Sequence, residues 1–442
     1  MKKNSNIVQT VVLVVFGLGM LLGVLFFSGK IKLPWDKESE TGITGSVTIW
    51  GVLPYRQVKG TMDTLEQQND GLRINYLEKK PASMQNDLVN ALASGKGPDL
   101  FMMSPGEVAE NLDRLYIVPY TAYSETLYKS NFIDAADIFL TKNGILAFPV
   151  FINPMVMYYN RDILTSNYIT QPPTTWEELE KLAPTLSVKD DAGKIKQSMV
   201  AFGTTNNTSY PFDILLLKIF QAGNPIIYPS SDGWTAKPNI NNSLGNAISW
   251  YINFSNTTNS TYSWNQSLPK DRDFFTAGNL VFYFGYLTEY PDIREKNPNL
   301  NFGVTMVPQI SDTAKKVDYG QMYSIGISKI SKNLSGAIGV ANLLTSKELA
   351  PRILGINYAP VRRDLLAQKP KDDAEKTLLF NSAIISKTFF DPDASQTNKL
   401  LLKTVDQINA GTRDISSGIE AINSSLQTMV NKLKLPTVKA VP

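Results

Sequence analysis

The 442-residue chain carries 43 Lys and Arg against 40 Asp and Glu, a net charge of +3. That is too near balance to argue for nucleic acid, and no Lys/Arg run interleaves with aromatics as a nucleic-acid groove requires. Cysteine and histidine are both absent, which excludes disulfides, a lipid-bearing cysteine, His/Cys zinc sites and Ser-His-Asp or Cys-His catalysis.

Lys2 and Lys3 precede an uncharged run over residues 7–27, IVQTVVLVVFGLGMLLGVLFF. A helix needs about 20 apolar residues to cross the hydrocarbon core, and no A-x-A-like cleavage site follows the run. Residues 1–29 therefore read as an uncleaved signal anchor, an N-terminal transmembrane helix, with a cleaved signal peptide as its rival. Lys30, Lys32 and Lys37 follow the span, so the positive-inside rule is nearly balanced. Residues 30–45, KIKLPWDKESETGITG, mix charge, Pro and Gly without period and read as a flexible linker.

The folded part opens with an alternating β-branched strand over 46–50 that stops at Gly51. A helix around 60–69 and a strand over 72–77 follow. Apolar positions 84, 88, 91 and 92 then form one helical face, with Gly95 suited to the stop. The wholly apolar run 100–103 suits a strand buried on both faces. Strand–helix–strand in this rhythm predicts a parallel α/β sheet. Strands are expected over 147–150 and 155–159. Thr175 followed by Glu178 makes a capping box behind Pro172 and Pro173. Residues 206–265 are rich in Asn, Ser and Thr and read as surface loops and polar helix faces. From 395 onward, apolar residues recur at three- and four-residue steps and predict an amphipathic helical tail docked on its own lobe.

Several blocks, in order, carry a resemblance. Residues 91–101 (ALASGKGPDLF) resemble the ALASGxxPDv signature of the family 1 extracellular solute-binding proteins, the maltose-binding-protein-like receptors. Residues 143–149 (NGILAFP), 157–164 (MYYNRDIL), 172–179 (PPTTWEEL), 275–282 (FTAGNLVF), 302–308 (FGVTMVP), 322–327 (MYSIGI) and 341–348 (ANLLTSKE) are similar to the family's later blocks. The chain departs from the family at its front, where a cysteine-free apolar segment replaces the lipobox.

The resemblance implies an α/β, two-lobed periplasmic-binding-protein-like (type II) fold behind the transmembrane helix. Lobe 1 is expected over 46–152 plus 306–356, and lobe 2 over 153–305 plus 357–435. Crossings are expected near 151–155, 304–308 and 357–362. The implied function is that of an extracytoplasmic receptor of an ABC importer. It would be anchored to the outer face of the cell membrane, take a small solute, by family default a sugar or oligosaccharide, and hand it to ABC permease subunits. No cofactor, metal or catalysis is implied.

Ligand sites of open α/β sheets lie at the carboxyl ends of strands, which singles out Gly51, Tyr55, Ser104 and Asn153. Tyr210, Phe212, Tyr286, Tyr323 and Arg362 are the candidates from the other lobe and the returning crossings. Asn153 and Ser104 would bond hydroxyls, and the tyrosines would stack on sugar faces. Peptide, polyol or polyamine cargo stays open, as does ferric ion through Tyr158 and Tyr159, although consecutive strand residues face opposite ways. The rival class is a membrane-anchored glycosidase, whose two carboxylates would come from Glu289, Asp292 or Asp162.

Overall fold

The computed structural model describes residues 43–435, apart from 231–232, 312, 356–357 and 371. The expected membrane anchor, nearly all of the linker and the start of the 357–362 crossing fall outside the described residues. Among the described residues no helix is long and apolar enough to cross a membrane.

The first strands alternate with helices as expected: β1 (Gly45–Gly51), α1 (Tyr55–Gln68), β2 (Leu72–Glu78), α2 (Pro81–Ala93), β3 (Leu100–Met103) and α3 (Pro105–Glu110). Helix α1 begins at Tyr55, several residues before the expected start. Pro54 precedes it as N-cap, with no side-chain cap. Helix α2 ends where Gly95 turns left-handed, φ +69°. There the Lys96 N–H bonds the Ala91 carbonyl and the Gly95 N–H bonds the Leu92 carbonyl, closing a Schellman motif.

Next come β4 (Phe148–Asn160), α4 (Trp176–Lys181), β5 (Val188–Lys189), β6 (Ile195–Val200), α5 (Pro211–Gln221), α6 (Ser243–Asn253), β7 (Leu280–Tyr286), β8 (Phe302–Met306) and β9 (Asp318–Ile327). The chain then reaches α7 (Ala394–Asn409) and α8 (Ile415–Lys432). Eleven strands form one sheet, whose main path runs β2-β1-β3-β9-β4-β7-β6-β5, with β8 also on β4. The expected parallel sheet is therefore mixed. Pairs β1–β2, β1–β3 and β6–β7 are parallel, whereas β9 and β4 enter antiparallel at the centre.

The two strands expected over 147–159 are a single 13-residue strand, β4. Its first half, Phe148 to Pro154, pairs with β9, and from Met155 its partners become β7 and β8. Pro154 stands at the change, because it has no N–H to donate to a ladder. Opposite it, a Cβ at Gly320 would lie 2.5 Å from the Ile152 Cδ1 atom.

Helix α4 starts with the expected capping box. The Glu178 N–H bonds the Thr175 hydroxyl at 3.2 Å, and the Glu178 carboxylate takes the Thr175 N–H at 3.2 Å. Trp176 follows, fully buried, its ring stacked on Phe284 (centroids 5.6 Å apart, 18° between planes) and edge-on to Trp250. The Lys218 ammonium lies 4.6 and 4.4 Å from the Trp176 and Trp250 centroids. Burial pushes Lys218 down to about 8. The expected helical tail is two helices, split at Gly411 (φ +69°). Helix α8 packs on α7 and α6, with Ile422, Leu426 and Val430 buried.

Candidate functional site

The carboxyl ends of β1 and β3 lie side by side, since Trp50 is in register with Phe101. Strand β9 continues the row, with Ser324 opposite Met103, and Tyr323 opposite Phe151 leads into β4. Register alone thus lines Gly51, Ser104, Tyr323 and the neighbourhood of Asn153 along one edge of the sheet.

Gly51 is tightly enclosed, for a Cβ there would sit 2.2 Å from the Tyr76 hydroxyl oxygen. The Tyr76 hydroxyl donates to the Leu53 carbonyl at 2.8 Å, and Tyr55 stacks on its ring (6.3 Å, 28°). Tyr55 is 46% exposed and presents an open aromatic face. Ser104 caps α3 in a capping box with Glu107: its hydroxyl donates to the Glu107 carboxylate at 2.8 Å. Tyr323 stacks on Phe151 (5.1 Å, 25°), which packs in turn against Tyr358 at 4.5 Å. Burial pushes the Tyr323 hydroxyl up to about 12.

Beyond the row lies a denser polar cluster around Tyr286. Its hydroxyl, fully buried, donates to the Asp213 Oδ2 atom at 2.5 Å, and Gln321 Nε2 donates to the same oxygen at 3.1 Å. Gln321 is the register partner of Asn153. The Asp213 carboxyl is raised to about 6, because burial outweighs those two donors. Tyr210 meets Tyr286 edge-on at 4.9 Å. Below them Glu289 accepts the Tyr283 hydroxyl at 2.6 Å and the Tyr286 N–H at 3.1 Å. Asn153 is 6% exposed, and its Nδ2 donates to the Thr288 hydroxyl at 3.2 Å. Its Oδ1 is buried and has no hydrogen-bond partner. An orphaned buried acceptor costs about 1–3 kcal/mol, so this atom is a standing demand for a donor.

Asn153, Tyr210 and Tyr286 thus fall within one cluster. Gly51 and Tyr55 sit together on the outer rim, with Ser104 and Tyr323 between the two groups. Phe212 and Arg362 stand apart. Phe212 is buried in α5, 6.4 Å from the Phe389 ring, among core side chains. Arg362 grips Asp364 with two nitrogens (3.0 and 2.7 Å) and bonds the Thr345 carbonyl and the Asn131 side chain.

Sequence reasoning passed over Asp213, Thr288 and Gln321. Thr288 follows strand β7 by two residues, so the strand-end rule reaches it. Asp213, in the first turn of α5, reads as a dipole partner facing water, and nothing local announces its burial.

The three carboxylates considered for hydrolysis are engaged elsewhere. Arg272 bridges Glu289 (3.4 Å) and Asp292 (2.9 Å), and Asp162 accepts from Asn301 at 2.7 Å. Tyr158 donates its hydroxyl to the Tyr286 carbonyl at 2.6 Å inside the core, whereas the Tyr159 ring packs on Gly303. The two phenols therefore do not converge on one ion. Among the described residues no group of three or more Asp or Glu side chains is placed to hold a metal.

The sequence profile of the family described as bacterial extracellular solute-binding protein matches residues 61–378. A chain of Brucella abortus strain 2308, named as a binding protein, is 22% identical over 290 residues, which are 64% of this chain and 67% of that one. Among solved structures, a cyclo/maltodextrin-binding protein complexed with maltotetraose superposes with a TM-score of 0.71 at 17% identity, covering 88% of this chain and 98% of that one. The sugar-binding protein MalE of Xanthomonas citri gives 0.71 at 16% identity, with the same coverage. The GacH receptor of Streptomyces glaucescens, solved unliganded and with acarbose, gives 0.65 at 14%, covering 88% of this chain and all of that one. These likenesses establish a two-lobed α/β fold of the kind found in sugar-binding receptors, and the relatives are binding proteins.

Proposed function

The chain belongs to the bacterial extracellular solute-binding proteins, and from that premise we propose that it is the solute receptor of an ABC importer, capturing a carbohydrate in a cleft between its two lobes. In this reading residues 46–152 plus 306–356 form one lobe and 153–305 plus 357–435 the other. The cleft runs along the edge from Gly51 and Tyr55 past Ser104 and Tyr323 to Asn153, Tyr210 and Tyr286. Uncharged residues 7–27 tether the receptor to the outer face of the membrane, beside permease subunits that receive the cargo.

The observation that carries the reading is the buried, unpartnered Oδ1 of Asn153, placed where β4 changes partners. A sugar hydroxyl is both donor and acceptor. It can give its proton to this oxygen while Thr288 and the Asn153 amide stay within reach. Tyr55 offers the exposed ring that a pyranose face covers, and a carbohydrate bound across the edge touches both lobes. Closure then follows from differential contact, because a ligand shifts a two-state equilibrium only by binding one state better.

The test is calorimetric titration of the full chain against maltotetraose and a panel of shorter and longer sugars, with chromatographic recovery of the sugar. Saturable binding with the sugar returned intact is expected, and Asn153→Ala should weaken it by about 1–3 kcal/mol, roughly 5- to 150-fold. Unaltered affinity in that variant would remove Asn153 from the site. Shortened sugars would make the protein an enzyme.

A further inference from the structure

Helix α3 follows β3 and packs on β3 and β9, whereas α7 packs on α8, α5 and α6. The two segments nevertheless touch across about 285 residues of chain, the Gly106 backbone meeting the Ala394 methyl and the Asp391 Cβ and carbonyl. A Cβ built on Gly106 would lie 3.0 Å from the Ala394 Cβ, 3.5 Å from the Asp391 Cβ and 3.8 Å from the Asp391 carbonyl oxygen. Ala394 is the first residue of α7, behind the Asp393 cap. Gly106 itself is buried. At its tightest point the seam sets a glycine against a single methyl group, as befits two surfaces that meet and part without interlocking.

Building on the two-lobe reading above, we infer that Gly106 and Ala394 form a small-residue closing contact between the lobes, a latch at the mouth of the cleft that must separate for cargo to enter. Glycine at 106 lets the walls meet. A larger residue there acts as a wedge, because a side chain longer than one carbon has no space against Ala394 and Asp391. The latch also makes the mouth narrow at this end, so cargo enters only through the opened state.

The chain contains no cysteine, which allows a clean trap. The double variant Gly106→Cys, Ala394→Cys in the full chain places two Cβ atoms a few tenths of an ångström inside the usual disulfide separation of about 3.5–4.5 Å. Mild oxidation is expected to give an intramolecular disulfide. The oxidised protein should bind maltotetraose at least tenfold more weakly than the reduced form, with recovery on adding reductant. Failure to cross-link would show that the two helices do not meet in solution and would overturn the latch. Equal binding by the oxidised and reduced forms would make the contact a permanent seam, which also overturns it. If the wild type binds no carbohydrate at all, the carbohydrate reading fails, and the latch is still decided without ligand. Gly106→Leu should then have a larger radius of gyration than wild type at unchanged far-ultraviolet circular dichroism, and an unchanged radius would overturn the proposal. Should Gly106→Leu fail to fold, the double cysteine variant is compared by scattering in its two redox forms: a smaller radius after oxidation is expected, and an identical radius overturns the proposal.

Discussion

The outer rim and the Tyr286 cluster are built differently, although both border the same edge of the sheet. On the rim, polar groups are satisfied by near neighbours in sequence. Ser104 pairs with Glu107 three residues on, and the Tyr55 N–H and Tyr76 hydroxyl find partners 23 residues away. In the cluster, Asp213 is held by Tyr286 and Gln321, 73 and 108 residues distant, and Asp271 by Ser209, 62 residues distant. A contact between near neighbours in sequence needs little of the chain to be in place before it forms. A long-range one exists only when the whole second half is assembled, and it buries charge. Sensitivity to mutation and to pH should therefore concentrate in the second half.

Removing a large ring from the second half should cost most. Trp176→Ala should lower the unfolding free energy by about 3–5 kcal/mol, because it empties the space beside Phe284 and Trp250 and strips Lys218 of one of its rings. Urea denaturation measures this, and a loss below about 1 kcal/mol would dissolve the contrast between the two regions.

Next in size is a pH effect. Burial raises Asp213, Asp271 and Asp391 to about 6, above the unfolded carboxylate value near 3.9. A group raised in the folded state contributes stability that is fully present below its unfolded value and is lost as pH rises through about 6. The melting temperature should therefore rise on acidification from pH 7.5 to 5. Asp213→Asn should remove a share worth on the order of 2–3 kcal/mol. A melting temperature that is flat or falling over that range in the wild type would contradict the buried-acid account.

A smaller loss, about 0.5–2 kcal/mol, is expected for Thr175→Ala, which opens the cap that starts α4. Smallest of all should be Tyr55→Ala, below about 1 kcal/mol, since only its stacking on Tyr76 is at stake. If thermal melts rank the rim variant above the cap variant, the rim is part of the core and the comparison is misdrawn.

The same divide explains what the sequence made legible. The Thr175 box, the Gly95 stop and the apolar β3 run are local, and each is found where residue chemistry places it. Strand β4 was harder, because Asn153 and Pro154 interrupt an apolar run and look like a break between two strands. Only the change of partners makes them the middle of one. The tail read as a single stripe because Ile408 and Ile415 keep the helical step across Gly411, whose turn the spacing does not reveal. Asp213 and Gln321 were invisible, since a carboxylate in a first turn and an amide in a strand look exposed until distant residues cover them. Asn153 was nameable from its place after a strand, but its missing partner belongs to the three-dimensional structure.

Closure of the two lobes on a solute across the partner change in β4 separates a hinged receptor from a rigid one. Small-angle scattering of the full chain, with and without saturating sugar from the calorimetric panel, tests this most directly. Closure should give the saturated protein a smaller radius of gyration. An identical radius at demonstrated saturation would contradict it and leave a rigid, preformed pocket in its place.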